Sequence, residues 1–248
     1  MLVWQLFLIA AAPLVGSFLG LVVERLPAGR PILVGRSRCD HCQAVLGPRD
    51  LVPLASWLAS RGRCRYCGAS LGGFLPGIEV AALGIGVWAL LVVPGWLVWP
   101  TAGLGWALLA LACIDQRSYL LPDAITLPLA VAGIAVAWLI DPAIVLDHLI
   151  GAAAGFLALT VLAHLYGLIR RRVGLGGGDA KLFAALGAWV GWEGLPTVIL
   201  YAAVSGLLWV LAQQLRGKPL RLSRRLPFGP HLCLAGWLVW LYGPLSQG

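Results

Sequence analysis

Two aspartates and four cysteines are the residues of this chain whose types and spacing can carry chemistry. Asp115 closes an apolar run as Ala112-Cys113-Ile114-Asp115, and Asp179 follows Gly176-Gly177-Gly178 and precedes another apolar run. Charged groups inside or at the edge of a bilayer are costly and usually functional. Two carboxylates brought together there can share a proton, because neighbouring negative charges push their pKa values apart. One then acts as general base on a water, while the other protonates the carbonyl oxygen and later the leaving amine. That is aspartic-peptidase chemistry, with no covalent intermediate. Gly176 and Gly178 suit such a site, since a chain without Cβ atoms can run close to a peptide and take unusual dihedrals. A plainer reading stands beside it. Asp123, after Pro122, and Asp179, before Ala180-Lys181, both occupy positions suited to helix N-caps. The glycine run alone is a weak signal, for it lacks the Lys-Ser/Thr of a phosphate loop and follows no strand.

The cysteines give a sharper signal. Cys39-Asp40-His41-Cys42 and Cys64-Arg65-Tyr66-Cys67 are two C-x-x-C knuckles with 21 residues between them. Each knuckle supplies two thiolates from one turn, and the spacing suits tetrahedral Cys₄ coordination of a structural Zn²⁺. A pair of disulfides is the alternative, and a reducing cytoplasm opposes it. The loop of residues 24–73 is too short for a thioredoxin-like fold and has little core of its own. Metal binding would therefore supply most of its folding energy. His41 is expected outside the ligand set, and Cys113 and Cys233 are expected to pack in or beside apolar spans.

These residues need elements to hold them, and the composition says which. Of 248 residues, 60% are hydrophobic and 11% charged, too little polar surface to cover a soluble domain. Apolar stretches at 2–23, 75–93, 96–114, 124–140, 146–169, 181–193, 195–215 and 228–245 are candidate membrane spans. The first reads as an uncleaved span rather than a secretory signal, since no basic residue precedes Glu24. All 18 Lys and Arg fall in alternate loops. The first loop runs from Arg25 to Arg65, and the third holds Arg117. The fifth holds Arg170, Arg171, Arg172 and Lys181, and the seventh runs from Arg216 to Arg225. The intervening loops carry Asp141, Asp147 and Glu193 but no cation. The positive-inside rule then places the odd loops in the cytoplasm and both termini outside. Asp115 and Asp179, two crossings apart, share the cytoplasmic face. The expected fold is an all-α polytopic membrane protein with about eight transmembrane helices and a cytoplasmic zinc-stabilised loop.

The same distribution excludes nucleic acid as a partner. A basic excess spread over cytoplasmic loops serves topogenesis and contact with anionic lipid, and aromatic-interleaved basic strands are absent. Gly151 and Gly155 form a G-x-x-x-G pair, read as close helix packing.

The motifs, taken in order, resemble those of the bacterial type IV prepilin peptidases, bifunctional leader peptidase/N-methyltransferases. The likeness covers almost the entire chain. It runs from Gly16-Ser-Phe-Leu and Glu24-Arg-Leu-Pro27 through Ser37-Arg-Cys-Asp-His-Cys42, Asp50-Leu-Val-Pro-Leu-Ala-Ser-Trp57 and Arg61-Gly-Arg-Cys-Arg-Tyr-Cys-Gly68. It continues with Asp115, Leu121-Pro-Asp123, Gly176-Gly-Gly-Asp179 and Pro227-Phe-Gly-Pro230. The resemblance implies that Asp115 and Asp179 are the peptidase pair, supported by Asp123, Gly176 and Gly178. It also implies an inner-membrane enzyme that removes a short basic leader from prepilins and pseudopilins at the cytoplasmic face. A second implied activity transfers a methyl group from S-adenosylmethionine to the new N-terminus. Glu79 matches an acidic position of the methyltransferase region, with attraction of the amine or the sulfonium as its physical role. The expected division is 1–95, with the first span and zinc loop, and 96–248, the peptidase domain.

Two departures fall in the methylation half. Gly20 stands where the family usually has Asn, and Phe74-Leu75-Pro76 replaces Arg-Tyr-Pro. A peptidase without methyl transfer and a noncatalytic membrane scaffold with a zinc loop remain as alternatives. A transporter is opposed by the lack of paired broken helices in two halves.

Overall fold

The computed structural model describes residues 2–32, 37–39, 41–170, 176–217 and 227–245. Arg36, Arg171, Arg172, Lys218, Arg221, Arg224 and Arg225, all used in the charge argument, lie outside them. Helices account for the described chain: α1 (Leu2–Arg25), a short α2 (Ala55–Ala59), α3 (Phe74–Val92), α4 (Val98–Ser118), α5 (Asp123–Ile140), α6 (Val145–Arg170), α7 (Gly177–Leu215) and α8 (Gly229–Tyr242). Among the described residues there is no strand, only isolated bridges at Arg38–Val45 and Arg63–Ser70. Among the described residues, six helices are long and apolar enough to cross a membrane. An uncharged Leu-, Ala- and Val-rich segment has one open-ended conformation that satisfies its own backbone in lipid, the α-helix. The expected all-α polytopic architecture is borne out.

The chain divides into two compact units, residues 1–110 and 111–248. In the first, α1 lies against α3. The contact is so close that a Cβ on Gly16 would stand 2.6 Å from the Glu79 Cα. Trp106 donates its indole N–H to the Ala82 carbonyl at 2.9 Å.

The second unit is organised by α7, which the sequence reads as two spans. Its 39 residues hold one non-helical position, Gly191, at φ 68 and ψ 177, a region essentially closed to residues with a Cβ. The chain reverses there. Leu186 packs on Gly236 and Trp189 on Trp240, so 177–190 runs parallel to α8. Thr197 accepts from the Leu245 N–H and Ser205 meets His231, so 192–215 runs antiparallel to it. The expected separation of 181–193 from 195–215 is therefore a hairpin turned on one glycine.

Residues 177–190 are buried on nearly every side: Ala180, Leu182, Phe183, Ala185, Leu186, Ala188 and Trp189 are all core. At ~1.5 Å per residue the segment is ~21 Å long, short of a bilayer crossing. Protein surrounds it instead. Gly151 and Gly155 of α6 bring that helix backbone to backbone with it. Their added Cβ atoms would meet the Gly187 and Phe183 carbonyl oxygens at 2.5 and 2.7 Å, and Gly133 of α5 approaches Ala188 as closely. The G-x-x-x-G pair is a packing device, as read.

Candidate active site and zinc loop

Asp115 lies in the last turns of α4 and Asp179 in the first turn of α7, and both are buried. The structure brings them together closely enough that the charge of one acts directly on the other. Each carboxylate holds a backbone N–H at a helix start. Gly229, the first residue of α8, donates to Asp115 Oδ2 at 3.0 Å. Gly176, the N-cap of α7, donates to Asp179 Oδ2 at 3.3 Å. Helix N-termini carry unsatisfied donors and partial positive charge, which offsets both the burial and the mutual repulsion. Cys233 is buried within electrostatic reach of both carboxylates, consistent with its expected packing role.

The N-cap alternatives are corrected. Asp123 is the first helical residue of α5, its N-cap is Pro122, and its side chain makes no cap. Its carboxylate instead pairs with Lys181 Nζ at 2.7 and 2.8 Å. Asp179 is the third residue of its helix rather than the cap, and reaches back to Gly176. The glycines also act differently from expectation. Gly176 has φ −77 and ψ 145, Gly177 and Gly178 are helical, and none takes a positive φ. Their use is room. A Cβ on Gly178 would strike Leu121 Cβ at 2.9 Å, which seats the Leu121-Pro122-Asp123 step against the glycine run. Among the described residues, a Cβ on Gly177 would meet nothing within 4 Å. The α7 start therefore has one bare, open side.

Gly229 is the site residue that sequence reasoning missed. Its motif, Pro227-Phe228-Gly229-Pro230, was visible, but nothing local says that it meets a carboxylate 114 residues away.

In the first unit the four thiols converge as expected. The sulfurs of Cys39, Cys42, Cys64 and Cys67 all lie within 4.8 Å of one another, and His41 is not among them. The two knuckles repeat one backbone pattern. Cys39 and Cys64 accept from Gln43 and Gly68 and donate to Ala44 and Ala69. The position after each C-x-x-C is left-handed, filled by Gln43 (φ 57) and Gly68 (φ 71). Backbone N–H groups of Cys42 and His41 aimed at the Cys39 sulfur bring its pKa down to about 6. The Ala69 N–H lowers Cys67, but desolvation and the three neighbouring sulfurs outweigh it and leave that thiol at about 12. A group of thiols so divided is one that a divalent soft cation would unify by replacing protons. The donor set fits tetrahedral zinc.

Asp50 clasps the two knuckles, accepting from the Gly47 N–H at 3.1 Å and pairing with Arg65 at 3.4 Å. Glu79, in the second turn of α3, is buried. Its Oε2 accepts from the Leu54 N–H at 2.8 Å, and Leu54 sits at φ 58 and ψ −50, a conformation costly for a residue with a Cβ. Glu79 thus holds a strained point of the loop. The two departures touch: a Cβ on Gly20 would meet Leu75 Cδ2 at 2.7 Å and Ile78 Cγ2 at 3.4 Å.

Comparison with known proteins gives two family models that together span most of the chain. Residues 102–211 match the type IV leader peptidase family, and residues 10–93 match the bacterial peptidase A24 N-terminal domain. A protein of Burkholderia pseudomallei named prepilin leader peptidase/N-methyltransferase is 40% identical, covering 96% of this chain and 85% of the relative. Proteins of the same name from Aeromonas hydrophila and Pseudomonas aeruginosa are 37% and 35% identical. Each match covers 93% of this chain, and 88% and 87% of the respective relatives. No solved structure matches.

Proposed function

Given that the chain belongs to the type IV leader peptidase family, we propose that Asp115 and Asp179 are the carboxylates with which it cuts prepilin leaders. The enzyme is a prepilin peptidase with N-methyltransferase activity. Its substrates on this reading are prepilins and pseudopilins presented at the cytoplasmic face of the inner membrane, with both termini of the enzyme periplasmic. A peptidase lacking the methyl step is not favoured, since the relatives' shared name covers both activities, and a noncatalytic scaffold is not favoured either.

The observation that carries the reading is the pair of buried acids acting on each other, each holding one backbone N–H at the start of a helix. With one proton between them, the ionised carboxylate takes a proton from water as that water attacks the scissile carbonyl carbon. The neutral partner protonates the carbonyl oxygen, and the tetrahedral intermediate collapses as a carboxyl returns a proton to the leaving amine. Gly229 and Gly176 fix where the carboxylates stand. The open side at Gly177 gives the substrate backbone a place to approach, and the Lys181–Asp123 pair keeps the start of α5 beside that of α7.

Residues 1–95 are assigned the methylation role and residues 96–248 the peptidase. Cys39, Cys42, Cys64 and Cys67 would hold a structural Zn²⁺ that ties the loop together. S-adenosylmethionine would supply the electrophilic methyl group. Glu79 fits the cationic chemistry of that step as a buried carboxylate, and through Leu54 it fixes the loop's conformation.

The test is direct. Asp115→Asn and Asp179→Asn keep side-chain shape but cannot cycle a proton, so each is expected to abolish prepilin cleavage in purified protein. Intact mass of the product reports leader loss and methyl gain separately, using an already cleaved pilin for the second step. Cleavage retained in either variant overturns the assignment.

A further inference from the structure

The 177–190 segment ends at Gly191, ~18 Å along the helix from Asp179. A cavity of about 370 Å³ opens there, in the same unit but remote from the carboxylates. That volume suits a small headgroup or metabolite rather than an acyl chain. Its walls include Asp147, His148, Trp189, Trp192, Glu193 and Trp240, with neither Lys nor Arg.

Its apolar wall is made by Ile144, Val190, Val239 and Pro244, and its ionisable side chains include no permanent cation. Asp147 and Glu193 bring carboxylates. The His148 Nδ1 lies 2.9 Å from the Ala188 carbonyl oxygen, which can only accept, so Nδ1 carries the proton. In the neutral ring Nε2 is then a lone-pair acceptor, and that edge of the ring faces Gly191 on the cavity wall. The indoles add aromatic surface without positive charge. An ordinary interfacial belt turns its tryptophans outward to lipid. Two of these do not. Trp189 is 2% exposed and donates to the Leu129 carbonyl at 2.8 Å. Trp240 meets it edge-on, with ring centroids 5.0 Å apart and planes at 88°. The rings are fixed within the unit, around a space lined with acceptors.

We propose that this cavity binds a primary ammonium group, gathered by Asp147, Glu193 and His148 Nε2 and walled by Trp189, Trp192 and Trp240. Three N–H donors on one cation match three acceptors. Asp147 and Glu193 are exposed, so the cation can reach them from outside, and the half-exposed Trp192 gives it an aromatic neighbour. The ammonium has two possible sources: the headgroup of an aminophospholipid in the surrounding leaflet, or a free amine. The site is separate from both reactions described above and stands whether or not they do.

The experiment uses the full chain purified in detergent, with thermal unfolding followed by tryptophan fluorescence. One arm adds ethanolamine hydrochloride against sodium chloride of equal ionic strength. The other adds phosphatidylethanolamine to the micelles against its N-acetylated form, which keeps the lipid but removes the cation. A Tm rise of several degrees is expected in at least one arm. A rise with the lipid alone assigns the headgroup, and a rise with ethanolamine alone assigns a free amine. The combined Asp147→Asn and Glu193→Gln variant is expected to lose the rise while cutting prepilin at the wild-type rate, which certifies its fold. If that variant unfolds, Trp192→Ala, at an exposed position, is expected to reduce the rise in its place. No rise in either arm, or a rise that survives the substitutions, overturns the proposal.

Discussion

Replacing Gly229 by alanine is the sharpest test of how the proposed peptidase carboxylates are held. The new Cβ would stand 2.6 Å from Asp115 Oδ2, 2.9 Å from its Cγ and 3.1 Å from its Cβ. Ordinary contact begins at 3.4 Å, so the carboxylate must retreat by about 0.8 Å (3.4 less 2.6). Nothing else in the substitution is hostile. Gly229 opens a helix, has no positive φ, and alanine is the better helix former. The damage is therefore confined to the carboxylate and to its 3.0 Å bond from the Gly229 N–H.

Two independent magnitudes bear on the outcome. A hydrogen bond to a charged group contributes about 1.5–3 kcal/mol, and misplacing a catalytic group by about 1 Å costs on the order of 10²-fold in rate. At about 1.4 kcal/mol per tenfold these agree. Gly229→Ala should lower kcat/KM for prepilin cleavage by about 10²-fold. The assay is single-turnover cleavage of full-length prepilin by purified enzyme, with methyl transfer to an already cleaved pilin measured alongside. Methyl transfer should hold if the assignment of that step to residues 1–95 is right, because they lie in the other unit. Cleavage within a few-fold of wild type would refute the reasoning, since Asp115 would then be working from a position other than the one Gly229 fixes.

Gly177→Leu, whose Cβ points into open space, should leave Tm unchanged or raised by the better helix propensity. It should cut cleavage at least tenfold if substrate backbone approaches that side, and an unchanged cleavage rate would remove that approach path. Lys181→Met breaks a half-exposed ion pair, so it should cost at most about 1 kcal/mol in stability. It should also slow cleavage a few-fold, with the gap to wild type narrowing as salt screens the pair; a gap that widens with salt contradicts the role given to it. For zinc, the Cys39 thiol at about 6 lies below its usual 9.0, so its share of metal-free stability is full above pH 9 and fades as pH falls through 6. Metal-free protein at pH 7 therefore already carries one thiolate, and zinc uptake should release about one proton fewer at pH 7 than at pH 5. Calorimetry in buffers of different ionisation enthalpy reads that number, and equal release at both pH values would contradict it.

What the sequence made legible was whatever is written in short-range pattern. The C-x-x-C spacing gave the thiol cluster, apolar run lengths gave the helices, and Asp115 and Asp179 stood out as acids at the ends of apolar runs. The alternative that Asp123 is a cap failed because Pro122 takes that position, leaving the carboxylate free for Lys181 58 residues on. The glycine run was read for close approach to a peptide and for unusual dihedrals; its backbone is ordinary, and Gly178 packs closely on Leu121. Glu79 was read for attraction of a cation, and only its burial and the strained Leu54 reveal a structural duty. Gly191 was one of 32 glycines, and no local signal distinguishes the one on which the chain reverses. These misses share a cause: each depends on a partner far along the chain.

The position of the carboxylates follows from what a membrane helix can offer a charge. Within a helix every N–H is already bonded to a carbonyl four residues back, and lipid supplies no replacement. Only the first turn has donors to spare. Two buried acids without a side-chain cation can be stabilised by backbone where helices begin, and here two beginnings meet. The second unit does this with two 14-residue segments, α8 and 177–190, which start at Gly229 and Gly177 beside the acids and run side by side away from them. Their shortness is then a consequence rather than an accident. A helix that starts at the carboxylates and ends inside the unit need not reach across a full bilayer, and the reversal at Gly191 returns the chain through a longer helix that can. On the proposed reading the scissile bond comes to the edge where α7 and α8 start, because that is where the two carboxylates are held.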